Sequence, residues 1–260
     1  MKNYPIYIQH HSERPFRGVK SFLQKKVDRH VRGYFFASDV MADEWVRTRL
    51  IRNRQKVHEV FEATSSFPGS DREGLNTKPF SFIWVGRLDA NKDPLTMIDG
   101  FVEFLKHEPA AELYMIFKTQ ELFADVQKQI TGIAKSIHLV GNVPHHEMPS
   151  WYNKANFIVS TSLYEVGAVA VVEAMSAGCI PILADIPALA KITSNGRVGL
   201  LYPSQQPELL AHALLRASKL NIKAERQKLN QFYEEQLSPS AIARELTAAI
   251  NVSQKESSSV

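Results

Sequence analysis

Five short apolar runs recur between residues 80 and 183: FSFIWV (80–85), ELYMIF (112–117), IHLV (137–140), NFIVST (156–161) and IPIL (180–183). Each is separated from the next by a connection that usually carries helical periodicity. Continuous apolar runs, rather than alternating ones, suit strands buried on both faces, and strands alternating with helices point to a parallel sheet. The expected fold class is therefore α/β, with a Rossmann-like, doubly wound parallel sheet over residues 80–236. Ligands of such sheets sit at the carboxyl ends of the strands, so the loops that follow these runs are where function should lie.

The chain before residue 80 is less regular. YPIYIQH, GYFFASD and QKVHEVFE read as strands, and RPFRGVKSFLQKKVDRHV places Phe16, Val19, Phe22, Leu23 and Val27 at helix spacing. Ser38 is expected to cap the next helix, with Trp45 on its inner face. Residues 1–61 thus form part of a first body. Residues 62–79, rich in Ser, Thr, Gly, Pro and charge, read as a linker. Beyond the sheet, Ser238 and Pro239 open a C-terminal helix over 237–250, and 251–260 reads as a frayed tail.

Composition narrows the classes of function. Of 260 residues, 44% are hydrophobic and 22% charged, which suits a globular chain with a sizeable core. A net charge of +4 is too slight for a nucleic-acid-binding surface but agrees with small acidic substrates. Cys179 is the only cysteine, so neither an intramolecular disulfide nor a Cys-rich metal site is expected. No Gly-x-Gly-x-x-Gly follows a strand, which weakens a dinucleotide oxidoreductase reading. His145 and His146 are adjacent, lack metal-ligand spacing and read as loop residues.

Two loops carry concentrated chemistry. VGRLDANKD follows the first run with Arg87 and Lys92, and two cations at a strand end suit a diphosphate; Asp93 and Pro94 then start a helix. TSLYEVGAVAVVEAMSAG holds Glu165 in the loop and Glu173 within the following helix, which should begin near Gly167 or Ala168 and stop at Gly178. The first-turn N–H groups of that helix, around Gly167, Ala168 and Val169, would form an anion site. An acid inside so apolar a helix costs several kcal/mol unless it is paired or bound.

FIWVGRLDANKDPLTMIDGF, IHLVGNVPHHEMPSWYNKANFIVSTS and the Glu165 to Glu173 spacing followed by AMSAGCIPIL resemble the glycosyltransferase family 4 type of GT-B enzymes, over about residues 80–217. The resemblance implies a GT-B fold with one complete donor-binding domain, 80–236, and the C-terminal remnant of a second, acceptor-side domain, 1–61. It also implies retaining transfer from a nucleotide-diphosphate sugar to a glycan, lipid or small-molecule acceptor. Arg87 and Lys92 would bind the diphosphate, Glu173 the ribose, and Glu165 the transferred sugar, with Gly167, Ala168 and Val169 lining the donor site. Such leaving-group stabilisation requires no metal or other cofactor, and no Asp-x-Asp pair stands ready for a divalent ion. One departure concerns Ala168, since relatives usually carry glycine there.

By the same resemblance, PIYIQHHSERP ends in a histidine near the sugar, and His11 fits that position better than His10. Two Rossmann bodies of ~150 to 200 residues each exceed this chain, so an N-terminally truncated enzyme is expected. Two alternatives stay open: a non-catalytic nucleotide-sugar-binding remnant, and a GT-B sugar-nucleotide epimerase. The cytoplasm is the expected location. For the basic helix between Arg14 and Arg32 a solvated outer face is preferred over contact with an anionic membrane at its inner surface.

Overall fold

In the computed structural model, which describes residues 4–11, 14–67, 80–132 and 135–258, the chain divides into two units. One is built from Met1–Ala63 and Pro239–Val260, the other from Thr64–Ser238.

In the first unit three parallel strands lie in the order β1 (Ile6–His10), β2 (Val31–Phe36) and β3 (Val57–Glu59). Helix α1 (Gly18–Val27) joins the first two strands and α2 (Asp39–Arg47) the next two. Side chains alternate along β2. Tyr34 and Phe36 meet the rings of His10 and Trp45, while Phe35 and Tyr7 turn to the opposite face. Gly33 shares that opposite face, where a Cβ would come within 2.9 Å of the Tyr7 ring. Ser38 caps α2 as expected, its Oγ accepting from the Val40 N–H at 3.2 Å, and Trp45 is fully buried.

Helix α1 departs from expectation in its orientation. Val19, Phe22 and Leu23 are exposed, and the helix instead buries Gln24, whose amide donates to the Tyr34 hydroxyl at 3.1 Å. The Tyr34 hydroxyl in turn donates to Asp28 Oδ1 at 3.1 Å, so a polar relay rather than an apolar stripe seats this helix.

The second unit holds six parallel strands: β4 (Ser81–Gly86), β5 (Glu112–Phe117), β6 (Ile137–Gly141), β7 (Phe157–Ser160), β8 (Ile180–Ala184) and β9 (Leu200–Tyr202). Their spatial order is β6-β5-β4-β7-β8-β9. The chain therefore moves outward from β4 to β6 and then returns to lay β7 beside β4. That reversal is the topological switch point where such sheets open a ligand crevice. The helices are α3 (Pro94–Leu105), α4 (Phe123–Gln129), α5 (Met148–Lys154), α6 (Val169–Ser176), α7 (Pro187–Ile192), α8 (Pro207–Ala217) and α9 (Ile222–Phe232).

Phe82 of β4 stacks on Phe157 of β7 with centroids 5.1 Å apart, and Phe101 and Phe104 of α3 meet it edge-on. α3 and α8 approach closely at Gly100, where a Cβ would lie 2.8 Å from the Leu210 side chain. β9 is absent from the sequence reading because three residues carry too little pattern. Its pairing with β8, Ile182 against Leu200, is what makes it a strand.

The last helix, α10 (Pro239–Ser258), belongs to the first unit, where Ile242 joins Phe35 and Val60 in a core completed by Leu246, Ala249 and Ile250. It continues through most of the tail expected to fray from residue 251. Extending a helix already nucleated and packed adds one bond per residue fixed, which a polar segment containing Gln, Lys and Glu sustains. Of the linker expected over 62–79, residues 68–79 lie outside the described residues.

Candidate active site at the sheet switch point

Gly86 ends β4 and releases the loop that carries Arg87 and Lys92; a Cβ at Gly86 would press to within 3.2 Å of Lys92 Cγ. Asp89 shapes this loop. Its Oδ1 accepts from the Lys92 backbone N–H at 2.9 Å and its Oδ2 lies 2.7 Å from Arg87 Nε. Asp93 then caps α3 from a left-handed backbone, φ 46°, accepting from the Thr96 N–H and hydroxyl.

The loop after β7 is stitched to this one. The Leu163 N–H donates to the Asn91 carbonyl at 2.8 Å, and the Asn91 amide donates to the Tyr164 carbonyl at 3.0 Å. Thr161 accepts from the Trp84 indole at 3.0 Å and donates to the Lys92 carbonyl at 2.7 Å. These contacts bring Lys92 and Glu165, 73 residues apart, into a direct ion pair. The Ser162 hydroxyl donates to the same Glu165 oxygen at 2.7 Å. Both partners of the pair are largely shielded, with side-chain exposures of 20% and 12%, whereas Arg87 is 58% exposed.

Glu173 stands elsewhere, on α6, and its carboxylate is held at both oxygens. His145 Nε2 lies 2.9 Å from Oε1, and the Tyr152 hydroxyl donates to Oε2 at 3.3 Å. Burial, followed by the neighbouring Glu173 charge, pushes the Tyr152 hydroxyl far above its ordinary titration range, so it remains a donor. The Ser176 hydroxyl donates to the Glu173 carbonyl at 2.6 Å and accepts from the Phe67 N–H at 2.9 Å. The acid inside an apolar helix is therefore paired, as its burial requires.

α6 begins at Val169, just past the Gly167 or Ala168 expected, with Ala168 as its N-cap. Ala168 adopts φ 45°, ψ 40°, a left-handed conformation that favours glycine, and no side chain caps the helix. Its first turn carries the positive end of the helix dipole without a side-chain cap, and the Val171 N–H turns back to the Ala168 carbonyl at 2.9 Å. Glu173 is the fifth residue of this helix, about 6 Å along its axis from the start.

The structure brings together Lys92 and Glu165, and the Gly167 to Val169 segment follows Glu165 along the chain. Among the described residues Arg87 is paired with neither acid; Asp89 is its partner. His11 belongs to the first unit, with Nδ1 2.8 Å from Glu62 Oε1 and its side chain 66% exposed. Among the described residues, no group of three His, Cys, Asp or Glu side chains forms a metal cluster. Sequence reasoning missed Asp89, Asn91, Tyr152 and His145. For Asp89 the Asp-x-x-Lys spacing of the loop was a usable signal, but His145 comes to Glu173 only through the fold.

The Lys92–Glu165 pair at the strand ends and the buried Glu173 on α6 are separate, donor-held groups of the same unit. Residues 69–235 match the family Glycosyl transferases group 1. The chain belongs to this family. Relatives include a GDP-mannose:cellobiosyl-diphosphopolyprenol alpha-mannosyltransferase of Xanthomonas oryzae, 28% identical over 142 residues, or 54% of this chain and 37% of the relative. A D-inositol 3-phosphate glycosyltransferase of Corynebacterium efficiens is 26% identical over 56% of this chain and 38% of its own. The chain thus aligns with less than two fifths of the length of these curated group 1 relatives.

Among solved structures, S. aureus TarM, bound to UDP and other ligands, superposes with a TM-score of 0.74 at 14% identity, covering 94% of this chain and 50% of TarM. Anabaena HepE, solved with UDP and glucose, gives 0.73 at 14% identity, over 95% and 72%. At such identity the likeness is one of fold, and it places this group 1 chain in the α/β GT-B class expected from its sequence.

Proposed function

We propose that this protein is a retaining glycosyltransferase that takes its sugar from a nucleotide-diphosphate donor bound at the β4/β7 switch point. The observation that carries the reading is the Lys92–Glu165 pair, which sets a cation and a hydroxyl acceptor side by side next to an uncapped helix N-terminus. Relatives are named for GDP-mannose and solved neighbours hold UDP. A ribose and a diphosphate are common to both, so the shared features are what this site would recognise.

The roles follow from charge. As the bond from the sugar to the diphosphate lengthens, negative charge grows on the leaving oxygen, and Arg87, Lys92 and the first turn of α6 are the groups that stabilise it. Glu165 accepts hydroxyls of the transferred sugar and Glu173 those of the ribose. The acceptor is a glycan, a lipid or a small molecule, and His11 is the candidate on that side.

Titration calorimetry with UDP, GDP and ADP and their sugar conjugates tests the donor half. Arg87→Ala and Lys92→Ala should each weaken binding by roughly ten- to a hundredfold, the loss of one charge-assisted contact. Glu173→Gln should weaken free nucleotide and sugar nucleotide alike, whereas Glu165→Gln should weaken only the sugar conjugate. Unchanged affinity in both cation variants removes the diphosphate assignment. Transfer itself is read by the anomeric configuration of the product, and inversion would remove the retaining mechanism.

A further inference from the structure

We propose that His145 is a positioning residue of the nucleoside site, holding Glu173 in the orientation that receives the ribose hydroxyls. Its side chain is 61% exposed while that of Glu173 is 6% exposed, so the imidazole occupies the solvent side of the carboxylate. Tyr152 holds the other oxygen from the protein interior. A carboxylate oxygen offers two lone pairs, and among the described residues each here uses one, which leaves one on each oxygen for a vicinal diol. With both oxygens tethered, the plane of the carboxylate is fixed before ligand arrives, and less ordering is needed on binding.

The surroundings support a built site. The Phe67 ring lies 5.6 Å from the His145 ring and 6.1 Å from that of Tyr152. Phe67 is anchored in turn through its N–H to Ser176, the residue that also holds the Glu173 carbonyl. The two side chains that hold the carboxylate therefore share a third ring, Phe67, as a neighbour. His145 opens the 3-10 turn His145–Glu147 that leads into α5, so its backbone is fixed by local structure and only its imidazole serves Glu173.

The inference rests on the reading that Glu173 receives the ribose, and the experiment separates the two. Binding of UDP, GDP and ADP is measured by calorimetry for His145→Ala, His145→Gln, Glu173→Gln and the double variant His145→Ala/Glu173→Gln. His145→Ala should weaken the preferred nucleotide about tenfold, the scale of one charge-assisted hydrogen bond. His145→Gln, which restores an N–H donor of similar reach, should recover most of that loss. The double variant should bind no more weakly than Glu173→Gln alone, because His145 acts only through that carboxylate. Multiplying losses in the double variant, or full affinity in His145→Ala beside a weakened Glu173→Gln, overturn the positioning role alone. Full affinity in Glu173→Gln overturns the ribose reading and the inference with it.

Discussion

His10 should make the first unit lose stability in mild acid. Its ring packs 4.0 Å from Trp45 and 5.1 Å from Phe36, with Tyr34 and Phe16 closing the box, and it is only 5% exposed. Its Nε2, like the neighbouring Trp45 Nε1, has no hydrogen-bond partner among the described residues. Burial in this aromatic setting, followed by repulsion from His11, lowers its pKa from 6.5 to about 4. Because folding favours the neutral ring, the unfolded chain binds the proton more readily between those values. The contribution is therefore intact above about 6.5, falls as pH drops toward about 4, and declines no further below that. By about pH 4.5 the loss amounts to ~2.5 kcal/mol. Urea unfolding followed by Trp45 fluorescence at several pH values measures it, with His10→Phe as the control that keeps a ring and cannot titrate. Subtracting the variant removes the carboxylate background common to both proteins. An equal fall in stability between about pH 7 and 4.5 in both would refute the reasoning.

Gly100→Ala should destabilise the second unit by about 1–3 kcal/mol through overpacking of α3 against α8, read as a lower denaturation midpoint. Tyr34→Phe should cost the first unit about 1–3 kcal/mol, because it strips a partner from buried Gln24 and Asp28; an unchanged urea midpoint would show the relay to be idle. Glu165→Gln should strengthen free nucleoside diphosphate binding by about two- to fivefold, the scale of a partly exposed ion pair released to a new anion. Calorimetry giving a loss comparable to Lys92→Ala would contradict it.

The parallel sheet was legible because each buried strand is a continuous apolar run, and FSFIWV and ELYMIF need no tertiary information to be recognised. The loops stood out for a related reason: ligands of this architecture sit at strand ends, which made Arg87, Lys92 and Glu165 candidates, and the fold brings Lys92 and Glu165 into contact. What escaped was pairing. Periodicity shows that Val19, Phe22 and Leu23 share a helix face but not that Gln24 outcompetes them for the sheet through Tyr34 and Asp28. His145 escaped likewise, since adjacency to His146 says nothing about a carboxylate 28 residues away. β9 and the tail helix depend on neighbours already in place.

The ion pairs bear on how this site would work as well as on how it is built. Without donor, Lys92 is neutralised by Glu165, Arg87 is held by Asp89, and Glu173 is tied to His145. The pairing of Lys92 with Glu165, both largely shielded, offsets part of the desolvation cost that either ion would carry alone. A diphosphate entering the crevice must then compete with Glu165 for Lys92. Its advantage is charge, because two phosphate groups offer Lys92 more than one carboxylate does and also engage the α6 N-terminus. The competition frees Glu165 at the point where sugar hydroxyls need an acceptor. Under the proposed function, a nucleotide lacking the sugar would displace Glu165 without giving it anything to bind, so the pair would penalise product nucleotide relative to donor. That is the physical reason for expecting Glu165→Gln to favour free nucleotide.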